Sequence, residues 1–240
     1  MERHRLLAIA LLLTGCGVAE RPLASLKDVE LYLEVAGDGI RLHMIVHTAF
    51  VDGHEVECIR LRSTVIARKD GQPMTKSFGD SRGHCQPFYF ILNEDVSPTE
   101  TSSLTTFTVQ DESETMTMEV QDFLRARRIA LVEGGNPVSP GQTVTLAWLP
   151  SQDDFSINDR YGRPSNRLLV SHAGTQWRVT GSYEPSNRTL RFTFPDVPNG
   201  QTSLTWDADA AAPIPRCDGA SQCTAPVPFL PGAIQVQVQR

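Results

Sequence analysis

The feature that most constrains this 240-residue chain is its hydrophobic period, which is two wherever a period can be read. Ile234, Val236 and Val238 alternate with Gln235, Gln237 and Gln239. Val29, Leu31, Leu33 and Val35 do the same against Glu30, Tyr32 and Glu34, as do Leu190, Phe192 and Phe194 against Arg191 and Thr193. A strand sends successive side chains to opposite faces, so each of these stretches buries one face and wets the other. Leu42–Met44–Val46, Met116–Met118–Val120 and Val144–Leu146–Trp148 read the same way. Phe88 to Leu92, Ser103 to Val109, Leu168 to Ser171, Trp177 to Thr180 and Leu204 to Trp206 are further short strands. Gly37-Asp38-Gly39, Asp70-Gly71, Pro140-Gly141 and Pro198-Asn199-Gly200 punctuate them as turns. No segment offers three turns of helical periodicity. A strand with one apolar face needs a second sheet to cover it, so the expected fold is all-β, a sandwich or a barrel.

The length then decides how many. About 225 residues follow the leader described below, enough for two sandwiches of roughly 100 residues each. The strand pattern lapses between Asp122 and Gly135, at Leu124-Arg125-Ala126-Arg127-Arg128, and restarts at Ile129. Two tandem β-sandwich domains are therefore expected, over residues 26–125 and 126–240. The stretch from Ser63 to Thr75 resembles the strand-turn-strand of bacterial immunoglobulin-like domains. Pro198-Asn199-Gly200 running on to Thr205 is similar to their penultimate turn and strand. The resemblance implies immunoglobulin-like sandwiches that recognise partners through loops and strand edges.

The N-terminus reads as an address. Met1 to Arg5 is short and net-positive, and Leu6 to Leu13 carries no polar side chain. Crossing a bilayer takes about 20 apolar residues, so this run is a signal-peptide core and not a stop-transfer helix. Leu13-Thr14-Gly15-Cys16 resembles the lipobox of bacterial lipoproteins. That resemblance implies a signal peptide over 1–15, lipid on the Cys16 thiol and amino group with palmitate among the acyl chains, and a lipidated tether over 16–25. Gly17 stands where enterobacterial lipoproteins retained in the inner membrane carry aspartate, which implies the outer membrane, facing the periplasm or the cell surface.

Charge and cysteines agree with export. The formal net charge is −6, and removal of the leader, which carries +1, leaves −7. Nucleic-acid binders carry a basic stripe, so no nucleic-acid partner is expected. The one basic cluster, Arg125, Arg127 and Arg128, is expected on a solvated face between the halves. With Cys16 lipidated, Cys58, Cys85, Cys217 and Cys223 remain, an even number that in an exported chain reads as disulfides with three possible connectivities. Proximity favours Cys58–Cys85 and Cys217–Cys223, each within its own half. A metal site is the rival, but no Cys-x-x-Cys occurs and the Cys217-x5-Cys223 spacing does not suit zinc.

Chemistry is harder to find. Phe78-Gly79-Asp80-Ser81 resembles the nucleophile block of GDSL hydrolases, yet the Asp-x-x-His that would supply the base and its orienting carboxylate is missing downstream. His43 and His47 would adjoin on a helix. On a strand, four residues of about 3.4 Å put them roughly 13 Å apart, too far to share an ion, and both are expected on the less apolar face with Arg41. Asp153, Asp154 and Asp159 are weak calcium candidates in a long connection, with Asn158 beside them. They miss the EF-hand spacing, and a solvated loop is the default. Pro-rich Ala225 to Pro231 cannot donate a regular ladder, so Phe229 and Leu230 are either core or an exposed partner patch.

The expectation is thus a lipid-anchored envelope protein, non-catalytic and without cofactor, acting as a binding or structural module. Beyond the membrane, its partner would be an envelope or extracellular protein or a glycan. An accessory subunit of a secretion or assembly complex is the alternative, and a hydrolase a remote third.

Overall fold

The alternating stretches are strands in the computed structural model, which describes residues 19–21, 29–37, 39–46, 50–51, 54–55, 59–61, 64–78, 88–155 and 167–240. Among the described residues all helical or strand structure is β. The N-terminal body holds β1 (Ala19–Arg21), β2 (Val29–Ala36), β3 (Gly39–Val46), β4 (Phe50–Val51), β5 (His54–Glu55), β6 (Ile59–Leu61), β7 (Ile66–Lys69), β8 (Gln72–Phe78), β9 (Phe88–Leu92), β10 (Leu104–Gln110) and β11 (Thr115–Gln121). Two short ladders stand apart: β1 pairs in parallel with β6, and β4 pairs with β5.

The other strands of this body form two layers, β2-β3-β9-β8 and β8-β7-β10-β11. Strand β8 belongs to both, pairing through Gln72–Met74 with β7 and through Thr75–Phe78 with β9. The hairpin between β7 and β8 turns on Asp70 and Gly71, both with positive φ as its two-residue loop requires. Inward residues alternate as the sequence predicts. Val29, Leu31 and Leu33 on β2, Ile40, Leu42 and Met44 on β3, and Phe107 and Val109 on β10 are buried. Each such side chain contributes about 1.5–3 kcal/mol of transfer free energy. At Gly39 (φ +131°) a Cβ would lie 2.1 Å from the Leu92 carbonyl oxygen, so no larger residue fits the start of β3.

The C-terminal body comprises β12 (Arg128–Glu133), β13 (Thr143–Leu149), β14 (Asp154–Phe155), β15 (Arg167–His172), β16 (Thr175–Val179), β17 (Ser182–Glu184), β18 (Thr189–Thr193), β19 (Gly200–Asp207), β20 (Ala210–Ala211), β21 (Arg216–Asp218), β22 (Gln222–Thr224) and β23 (Ile234–Val238). Its layers are β12-β13-β18-β17 and β16-β15-β19-β23. Lettered along the chain, both bodies read A-B-E-D against C′-C-F-G, the immunoglobulin-like order. Trp148 on β13 and Trp206 on β19 meet edge to face across this core, 5.7 Å between ring centroids. The chain is therefore two tandem immunoglobulin-like sandwiches, with β11 ending at Gln121 and β12 starting at Arg128 on either side of residue 125.

The F–G connection of the second sandwich, residues 208–233, departs from the expected separation of halves. It pairs β20 with β14 of its own body and then carries β21 and β22 away to the first sandwich. Strand β21 pairs antiparallel with β11 at one edge, and β22 pairs in parallel with β2 at the other. Backbone bonds reinforce both ends: Gln121 N donates to the Pro213 carbonyl, and Ser221 N to that of Val29. Cys217 and Cys223 are disulfide-bonded with their Cα atoms 5.9 Å apart. Nine strands laid flat would hold β21 and β22 roughly 38 Å apart at the usual spacing. The sheet is instead folded over along β8, and the Cys217–Cys223 bridge spans the seam. It staples the first sandwich and not, as sequence proximity suggested, a loop of its own half.

Candidate functional site

Burial of Val29, Leu31 and Leu33 sends Glu30, Tyr32 and Glu34 to the outer face of β2. Register then places Tyr32 opposite His43 on β3, and His43 opposite Tyr89 on β9. The three rings form one row across three strands, 5.9 Å from Tyr32 to His43 and 5.3 Å from His43 to Tyr89. Glu34 Oε2 lies 2.9 Å from His43 Nε2, and the Arg41 guanidinium sits 5.1 Å from the Tyr89 ring centroid. Thr224 on β22 extends the row beyond Tyr32, and Ser77 on β8 extends it beyond Tyr89. Burial, and then the negative charge of Glu34, push the Tyr32 hydroxyl above its ordinary value, so it stays protonated and able to donate. His43 is thus beside Arg41 on the polar face, as expected, with its ring nitrogen on a carboxylate. His47 lies outside the described residues.

Next to Tyr32 a groove of about 510 Å³ opens along the seam between the sandwiches. Tyr32 and Thr224 form one side of it; Asp207 to Ala211 with Pro226, Val227, Pro228 and Leu230 complete it. The walls are fixed to each other by the backbone: Val227 N donates to the Ala210 carbonyl at 2.9 Å, and Ala212 N to that of Ala225 at 2.8 Å. The segment 222–227 therefore pairs with β2 of one sandwich and then with β20 beside the other. Of the two alternatives for the Pro-rich run, the exposed one describes Leu230, which is 50% accessible at the groove, while Phe229 is half-buried.

A second, polar pocket of about 450 Å³ lies at the junction, lined by Glu100, Arg125, Arg127 and Arg128 among others. Here the expectation of a solvated basic face fails at Arg127. Its side chain is fully buried and grips Asp153 through two bonds, Nε to Oδ2 at 2.9 Å and Nη2 to Oδ1 at 3.0 Å. Trp148 Nε1 donates to the same carboxylate at 2.8 Å, and Arg127 Nη1 to the Phe123 carbonyl at 2.9 Å. A charge this deep persists only when paired and hydrogen-bonded, and here both partners are. Arg125 is held by Asp122, while Arg128 is exposed. Asp122 is itself buried. Burial acts to raise its carboxyl, but bonds from Ser102, the Ser103 backbone, Arg125 and Gln121 outweigh that and hold it below the ordinary value.

Asp153, a calcium candidate in the sequence, thus has both oxygens committed to Arg127 and Trp148. Asp154 falls in β14, and Asp159 lies outside the described residues. Among the described residues no group of three His, Cys, Asp or Glu side chains is placed to hold a metal ion. Cys16, Cys58, Cys85, Asp80 and Ser81 also lie outside the described residues. Strand β8, which precedes Ser81, buries Met74 and exposes Thr75, unlike the buried strand that precedes a GDSL serine. Sequence reading missed the ring row and the groove. Its only signal was Tyr32 standing among carboxylates on the wet face of β2.

No protein-family model matches the sequence, and no curated protein matches it. Among solved structures the chain is similar to SGBP-B of the Bacteroides ovatus mixed-linkage glucan utilisation locus, solved in complex with a mixed-linkage heptasaccharide. Identity is 11% and the TM-score 0.24, over 87% of this chain and 45% of that one, so this chain spans less than half of that structure's length.

Proposed function

We propose that this chain is a lipid-anchored, non-catalytic binding module of the cell envelope, tethered through Cys16 at the outer membrane, whose partner is an envelope or extracellular protein or a glycan. The observation that carries the reading is the groove at the seam, because its walls come from both sandwiches and are joined by the β22–β2 ladder and the bonds between 210–212 and 225–227. Binding sites concentrate where domains meet, in clefts of about 300–1,000 Å³ lined mostly by apolar groups with a few polar ones. Pre-formed walls also lower the ordering cost of association. The anchor fits the same picture. Three acyl chains hold a protein firmly where one would not, and the sandwich begins with β2 at Val29, thirteen residues on, so the chain keeps it within about 45 Å of the lipidated residue.

Two measurements test this. Radiolabelled palmitate should enter the wild-type protein and not Cys16→Ser. Detergent pull-down of the full lipoprotein should return a stoichiometric partner that Leu230→Arg, in the groove, no longer holds. No palmitate incorporation sinks the anchor, and a partner indifferent to Leu230→Arg sinks the groove.

A further inference from the structure

We infer that the groove takes an extended, cationic peptide segment of the partner, with a Lys or Arg side chain laid against Tyr32 and apolar neighbours set on the alanine and proline walls. The inference rests on the binding-module reading and narrows it to a ligand class. Among the described residues no Lys, Arg or His lines the groove, whereas Asp207 and Asp209 do. Glu30 and Glu34 flank Tyr32 along β2, Glu34 also holding His43. Arg167 stands opposite Asp207 in the β15–β19 ladder, so Asp209 is the less compensated of the pair. Asp207 and Asp209 give the groove a negative lining, which a ligand cation relieves and an anion adds to.

The ring supplies the second half of the recognition. A cation over a tyrosine face is attracted by the ring quadrupole, and this sheet face already shows the arrangement within itself, with Arg41 over Tyr89 in the same row. The protonated Tyr32 hydroxyl leaves the ring neutral, which keeps that attraction free of a competing phenolate bond. Ala210, Val227 and Leu230 offer apolar surface for the stem of a long cationic side chain, which buries its methylenes and keeps its head at the carboxylates. A neutral glycan would also hydrogen-bond to Asp207 and Asp209, but asparagine would serve it equally. What carboxylates add over amides is charge, and that difference is measurable.

The test is fluorescence anisotropy on the full lipoprotein in non-ionic detergent. The probes are fluorescein-labelled Leu-Lys-Leu-Lys-Leu-Lys amide and its glutamate counterpart, with a neutral gluco-oligosaccharide as competitor. The lysine peptide should bind and the glutamate peptide should not. Affinity should fall about tenfold in the Asp207→Asn/Asp209→Asn double variant, and similarly between about 50 mM and about 500 mM salt. Tyr32→Ala should weaken binding while Tyr32→Phe, which keeps the ring, retains it; circular dichroism confirms the fold of each variant. Equal binding by the double asparagine variant, or displacement of the peptide by the oligosaccharide, overturns the cationic assignment. A groove that ignores both peptides while Leu230→Arg still releases the captured partner overturns it too, and leaves the binding module standing.

Discussion

The two sandwiches share one strand order and close it in opposite ways. In the second, β17 and β16 are separate strands, the layers meet over Trp148 and Trp206, and a buried Arg127–Asp153 pair pins the entry of the chain to that core. In the first, a single strand, β8, serves both layers, and both outer edges are completed by residues from the other body. Open edges invite further pairing, so an edge strand borrowed in cis blunts a hazard that the first sandwich would otherwise present to other chains. Equal topology therefore does not mean equal autonomy. The second sandwich supplies its own closure, and the first receives it.

The sharpest way to break the comparison is at the buried pair. Arg127→Ala leaves Asp153 charged and without its main partner, which costs about 3–5 kcal/mol. Hydrogen exchange should rise across β12, β13 and β18 well before β2 or β10; uniform loosening of both bodies would erase the contrast. Next comes the seam. Cys217→Ser with Cys223→Ser should cost about 2–3 kcal/mol from the lost loop constraint alone. Its exchange signature should be the mirror image, with β2 and β11 deprotected and β13 and β19 spared. Protection of β2 and β11 unchanged in the double variant would mean the borrowed strands hold without the bridge.

Asp122, where the first body ends, is a smaller lever, about 1–2 kcal/mol for Asp122→Asn. Because its folded carboxyl sits below the ordinary 3.8, it stabilises fully above that value and the contribution is lost as pH falls through the lowered one. Wild type should therefore lose stability below about pH 4 more steeply than Asp122→Asn in parallel acid titrations. Identical slopes would exclude Asp122 from the acid response. The smallest effect belongs to the ring row. Glu34→Gln removes a charge that helps raise Tyr32, so the phenol should titrate at lower pH by ultraviolet difference absorbance, with under about 1 kcal/mol change in stability.

Much of this fold was legible in the residues. The strands at Val29, Phe88, Thr115, Val144 and Ile234 and the Asp70-Gly71 hairpin follow from period and turn chemistry, because a half-buried sheet stamps its two faces on the sequence. Arg216–Asp218 and Gln222–Thr224 carry no such stamp. Three residues are too few to show alternation, and their partners lie about a hundred or more residues away, so nothing local distinguishes a borrowed edge from a disulfide loop. Arg127 and Asp153 default to solvent in any reading by residue type, and only the fold brings their charges together. The groove escaped for the same reason: Tyr32 meets Thr224 through a parallel register that no neighbouring residue announces.

The borrowed edges also impose a timetable. A ribosome finishes β11 at Gln121 well before it reaches Arg216, and at ordinary elongation rates of about 5–20 residues per second the intervening stretch takes roughly 5–20 s. Throughout that interval the nascent first half exposes two raw backbone rims, and any holding chaperone that serves this polypeptide has to cover them until the late-made latch arrives.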